Sequence, residues 1–193
     1  MSSAAATLVI PGITDLNTLV CISRARKLEP FKKAVADALA GRCPFCDIDR
    51  AYNVVVIENV HCLAWLCEPP EDNTRLHFLV VPKKHVTCTD ELSDDELVTI
   101  FEVKEQLQEM YEFNSCGVLI RDGDATLSAG TIQHLHMHVM VPAGTGRVES
   151  PFFKGAESET ESLARAIVFQ KLCTGTRVEE LDDAERALVK DRI

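Results

Sequence analysis

No run of apolar residues in this 193-residue chain approaches the ~20 that a membrane-crossing helix needs, so no spanning helix is expected. Basic residues are also scarce. Twenty Lys and Arg stand against thirty Asp and Glu, a net charge of −10. A general nucleic-acid coat needs a basic face, so that class is set aside, although a few local cations suffice for a small anion. The opening "MSSAAATLVIPG" lacks a basic start and a full apolar segment, and no secretory leader is expected of it. Internal repeats and low-complexity tracts are missing too. Eight cysteines are present. A domain of this length without a leader does not need disulfide staples, so the expectation is a reducing cytoplasm. Six of the eight (Cys21, Cys62, Cys67, Cys88, Cys116 and Cys173) sit singly and read as small buried hydrophobes.

Against that background, half of the six histidines crowd into "QHLHMHVM" at 133–140. His134, His136 and His138 alternate with Leu135, Met137 and Val139. Period-two alternation predicts a strand with two unlike faces. The apolar residues point into a core, and the imidazoles share the other face about 6.5–7 Å apart. Imidazole serves as metal ligand, acid or base, or nucleophile, and three in register point to a site rather than to chance.

The flanking chain supplies the frame. Helical spacing of Leu28, Phe31, Val35, Ala38 and Leu39 predicts a helix that Gly41 closes. Strand-like runs follow at 53–58, 61–67 and 77–82, with a loop at "EPPEDNTR". "SDDE" at 93–96 is a capping box. It opens a helix to about Phe113 that carries Leu97, Ile100, Phe101, Leu107 and Met110 on one face. A strand at 116–122 and a small-residue loop at 123–131 lead into the histidine strand. Strands, one long helix, then two more strands suit an α+β antiparallel sheet rather than a βαβ array. Two surface helices after Pro142 are expected to pack on the same sheet. The expected organisation is an N-terminal extension (1–42), a central catalytic domain (43–142) and a C-terminal helical extension (143–193).

"RCPFCDI" holds Cys43 and Cys46 at a spacing that lets two thiolates grip one metal ion. The same spacing occurs in redox sites, but here it follows a helix rather than a strand, and accidental pairing is a further alternative. A tetrahedral zinc site needs two more ligands. His85, just past a strand end in "VVPKKH", is one candidate, and His134 at the start of the row is the other. Such a closed site is structural and leaves His136 and His138 for other work. A catalytic zinc held by the histidine row itself is the rival arrangement.

These residues resemble a known family. The segment His134-Leu-His136-Met-His138-Val-Met fits the histidine-triad pattern. "LHFLVVPKKHV" at 76–86 is similar to the matching segment of histidine-triad (HIT) nucleotide-binding proteins. "CPFC" resembles the metal pair of bacterial zinc-bearing members. The resemblance covers about 43–142. It implies a five-stranded antiparallel sheet with one long helix, usually in a homodimer. It further implies a nucleotide hydrolase or transferase acting on nucleoside phosphate derivatives such as dinucleoside polyphosphates or phosphoramidates. Its implied zinc ligands are Cys43, Cys46, His85 and His134. His136 is the implied nucleophile at the α-phosphorus, and His138 donates to a phosphate oxygen. Gly130, Ala129 and Thr131 are placed near the phosphate. Phe45, Ile48 and Trp65 line the implied base site, with Glu68 at the ribose. "RDGD" stands where an Asn is common. Arg121, Arg147 and Lys154 are candidate cations for a polyphosphate tail. The alternatives are a nucleotide-binding protein with little turnover and a phosphorylase.

Overall fold

The computed structural model describes residues 8–16, 19–128, 130–149 and 156–193, with side chains from 160 in the last stretch. Ala129 and Lys154 lie outside the described residues. Five strands, β1 (Val55–Glu58), β2 (Cys62–Leu66), β3 (Thr74–Pro82), β4 (Gly117–Arg121) and β5 (His136–Pro142), form one antiparallel sheet in the order β1-β2-β3-β5-β4. Described helices are α1 (Leu28–Leu39), α2 (Asp94–Met110), α3 (Ala125–Ser128), α4 (Ala156–Cys173) and α5 (Asp183–Val189). The fold is α+β, as the order of elements predicts. No described helix is long and apolar enough to cross a membrane.

The chain divides into two compact units. The sheet unit comprises Pro44–Ser128 and His134–Pro151. Its core is built from one face of the sheet. Leu135, Met137, Val139 and Val141 join Phe78 and Val80 of β3, Cys62 and Ala64 of β2, and Ile100, Val103 and Leu107 of α2. This is the apolar half of the alternation, buried as expected. Ser93 caps α2 by accepting from the Glu96 N–H, while Glu96 reaches back to the Ser93 N–H. The buried stripe of α2 differs from the expected face. Phe101 and Met110 are 47% and 57% exposed. At 3.6 residues per turn, Phe101 points about 100° away from Ile100 and off the line through Ile100, Val103 and Leu107, whereas Met110 continues that line and is exposed as the last residue of the helix. The helix ends at Met110, three residues short of the expected Phe113.

Three further boundaries are corrected. β3 begins at Thr74, inside the expected loop, because Thr74 pairs with Pro142. The small-residue loop contains the one-turn helix α3, whose Leu127 and Ser128 N–H groups bond the Asp124 carbonyl. β5 begins at His136, so His134 and Leu135 precede the strand.

The other unit gathers Met1–Cys43, Ala129–Gln133 and Phe152–Ile193. Its core joins Phe31 of α1, Ala166, Val168 and Phe169 of α4, and Val189 of α5 with Leu8, Ile10, Val20 and Ile22. The C-terminal helices therefore share a core with the N-terminal segment. Cys21 and Cys62 are buried as read, and Cys67, Cys88 and Cys116 are half-buried. Cys173, on the last turn of α4, is exposed, contrary to its reading as a buried hydrophobe.

Candidate functional site

The end of α1 delivers the first thiol. Gly41 adopts a positive φ of 61°, its N–H bonds the Ala38 carbonyl at 3.1 Å, and the Arg42 N–H bonds the Asp37 carbonyl at 2.9 Å. This is the 6→1 and 5→2 pairing of a glycine-terminated helix. It turns the chain out of α1 one residue before Cys43, and Cys46 follows from a tight turn. His85 comes just after β3. The Leu135 N–H bonds the Val86 carbonyl at 2.7 Å, which draws the start of the histidine row alongside.

The ligand atoms of Cys43, Cys46, His85 and His134 all lie within 4.8 Å of one another. The Cys46 Sγ is 3.2 Å from His85 Nδ1 and 3.5 Å from His134 Nδ1. A tetrahedron with zinc-to-ligand bonds of about 2.0–2.3 Å has edges of about 3.3–3.8 Å, so these spacings suit one such ion. The His134 Nε2–H donates to the Pro82 carbonyl at 2.9 Å. That bond fixes the tautomer and leaves a lone pair on Nδ1, the atom facing the thiols, as an outer-shell partner of a metal-binding histidine does. The donor set therefore fits zinc.

The next two histidines lie on β5 facing away from the apolar core, and both are buried. Their protons follow from their partners. A backbone carbonyl only accepts, so the 2.7 Å contact from His136 Nδ1 to the His134 carbonyl puts the His136 proton on Nδ1. Its Nε2 is then a bare lone pair. His138 is set by a residue that the sequence reading passed over. His77 of β3 places its Nε2 2.8 Å from His138 Nδ1, and its own Nδ1 is 3.0 Å from the Glu71 N–H. A backbone N–H only donates, so His77 accepts at Nδ1 and carries its proton on Nε2. That proton is given to His138 Nδ1, which leaves the His138 proton on Nε2. The row thus presents a bare nitrogen at His136 and an N–H at His138, with the two rings 5.0 Å apart.

Electrostatics agrees with the neutral forms. Burial pushes the His136 pKa down to about 4. Arg121 acts in the same direction, and the bond to the His134 carbonyl opposes both. Burial also lowers His134 and His77 to about 4 each.

Phe45 stands edge-on to three rings, with centroids 5.4 Å from Trp65, 5.8 Å from His134 and 5.2 Å from His136. Phe45 and Trp65 are therefore brought to the row and are buried, while Ile48 is half-buried. Glu68 is exposed in the loop before β3, and its backbone carbonyl accepts from the Tyr52 hydroxyl at 3.4 Å. Arg147 is exposed, and its carbonyl accepts from the Asn73 side chain at 2.9 Å. Gly130 and Thr131 belong to the other unit. Gly130 is buried, and Thr131 is exposed with its carbonyl accepting from the Cys21 N–H at 2.7 Å.

Comparison with known proteins follows this geometry. The sequence matches the HIT domain over residues 49–144. An uncharacterised HIT-like protein of Methanocaldococcus jannaschii is 33% identical over 101 residues, covering 51% of this chain and 77% of the relative. Among solved structures, a hypothetical protein from Leishmania major is similar with a TM-score of 0.47 and 22% identity, over 71% of this chain and 99% of that one. A Zn-bound histidine triad family protein from Mycobacterium smegmatis is similar with a TM-score of 0.44 and 23% identity, over 69% and 97%.

Proposed function

We propose, from the premise that the chain belongs to the HIT family, that it is a nucleotide hydrolase or nucleotidyltransferase. It attacks the α-phosphorus of a nucleoside phosphate derivative through His136. The observation that carries this reading is the 2.7 Å bond from His136 Nδ1 to the His134 carbonyl, which leaves Nε2 bare on a neutral, buried ring. In the proposed reaction the Nε2 lone pair forms the bond to phosphorus. The bond from phosphorus to the leaving group breaks, and its electron pair departs with that group. Water then displaces the imidazole and releases the nucleoside monophosphate. The His138 Nε2–H donates to a phosphate oxygen as negative charge develops. Phe45, with Trp65 and Ile48, walls the nucleoside side. Gly130 and Thr131 are proposed phosphate contacts and Glu68 a ribose contact.

Cys43, Cys46, His85 and His134 are proposed to hold a structural zinc ion, which supplies cross-linking rather than a reacting oxygen. The protein residues alone carry the steps above. A homodimer and a cytoplasmic setting belong to the same proposal.

Product analysis tests it. Wild type and His136→Ala are incubated with diadenosine tetraphosphate and with adenosine phosphoramidate, with and without inorganic phosphate. AMP from the wild type alone supports the reading, whereas ADP formed only with phosphate makes the protein a phosphorylase. Nucleotide binding without turnover favours a binding protein. Equal activity in the variant removes His136 as nucleophile.

A further inference from the structure

The strand register puts a cation beside the proposed nucleophile. Arg121, the last residue of β4, is the direct cross-strand partner of His136 on β5. Directly paired residues point to the same face, with Cβ atoms about 4.5–5.5 Å apart. The Arg121 side chain therefore shares the sheet face of the His136 imidazole, and Arg121 is only 5% exposed. After Arg121 the chain runs through Asp122, Gly123 and Asp124 into α3 and folds back, and Arg121 Nη1 donates to the Ser128 carbonyl. Gly123 makes this return with a φ of 84°, its N–H bonding the Thr87 carbonyl at 2.8 Å.

Resting on the reading above, we infer that Arg121 is a catalytic residue that seats the reacting phosphate and makes the site selective for a ligand bearing an anionic phosphate there. A guanidinium has five N–H donors in a planar fork that matches two phosphate oxygens at once. The proposed attack brings a lone pair toward a phosphorus shielded by negatively charged oxygens. A fixed cation on the same face offsets that repulsion and strengthens as charge builds on those oxygens. The surrounding chain carries a net charge of −10, so without a local cation it would disfavour an anionic substrate. His138 supplies one neutral donor, whereas Arg121 supplies a full charge. This assigns the cation to the reacting phosphate itself, not to a distal polyphosphate tail.

The test is calorimetric binding of AMP and of adenosine to full-length wild type, Arg121→Gln and Arg121→Lys. The expected result is that the Gln variant binds AMP about 10- to 100-fold more weakly while adenosine is unchanged, as befits loss of a charged hydrogen-bonding partner. The Lys variant should recover part of the loss, because it keeps the charge but not the fork. Unchanged AMP affinity in the Gln variant overturns the inference. So does an equal weakening of AMP and adenosine in both variants, since Arg121 would then only hold the α3 loop in place. Failure of the wild type to bind AMP overturns the nucleotide reading itself, and the inference falls with it.

Discussion

His136, His138 and His77 form a set in which each proton position depends on a neighbour, and single substitutions separate their roles. His136→Ala should lower turnover by at least about 10³-fold without unfolding the chain, as nucleophile removal does elsewhere. Steady-state kinetics alongside circular dichroism checks both halves of that statement. His77→Leu leaves His136 intact but frees His138 to place its proton on either nitrogen. Turnover should fall about 10²-fold, within the range that a positioned proton donor supplies. Unchanged kcat in this variant would show that the relay from the Glu71 N–H is idle. The triad itself was legible, because alternation with Leu135, Met137 and Val139 is written in six consecutive residues. His77 was not legible as a site residue. It sits in an apolar run, and its partner is 61 positions away, joined only by the register of β3 on β5.

These buried histidines also set a pH dependence. His77 and His136 are held near 4 by burial, against about 6.5 in an unfolded chain. Between those values the unfolded state binds more protons than the folded one, so stability rises with pH across the window. Their contribution is complete above about 6.5 and is lost as pH falls through about 4. Urea midpoints measured from pH 7 to pH 4 should decline, and the decline should be shallower in His77→Leu. A midpoint that stays flat across that window would contradict neutral burial.

Among the elements, α2 covers the apolar face of the sheet and closes the core of that unit. Phe78 is fully buried on β3 and packs on Tyr111 and Phe113, with centroids at 4.8 and 6.4 Å. Phe78→Ala should cost about 3–5 kcal/mol, the usual range for emptying an aromatic site in a core. Ser93→Ala removes the side-chain acceptor at the start of α2 and should cost about 1 kcal/mol. Chemical denaturation of both variants checks the ranking, and a larger loss for Ser93→Ala would contradict it. The capping box was readable because its residues are three apart. The buried stripe was only partly readable, because Leu97, Ile100, Phe101, Leu107 and Met110 are all apolar and only packing shows which of them face the sheet. α3 escaped notice because its small and polar residues carry no periodic pattern. It is held by turn bonds to Asp124.

For the molecule as a whole, the central question is what the histidine row does once the sheet has assembled it. The proposed zinc site should act as a staple. Chelation should lower the thermal midpoint, and Cys46→Ser should lower it similarly while making it insensitive to chelator. Equal chelator responses in wild type and variant would remove the metal assignment. The most direct test of the proposed chemistry is a covalent one. Wild type and His136→Ala are mixed with diadenosine tetraphosphate, quenched in alkali because an imidazole–phosphorus bond is acid-labile, and read by intact-protein and peptide mass spectrometry. The account predicts one adenylyl group on the His136 peptide of the wild type and none on the variant. AMP release by the wild type with no adduct on that peptide, or an adduct carried by another residue, would contradict it.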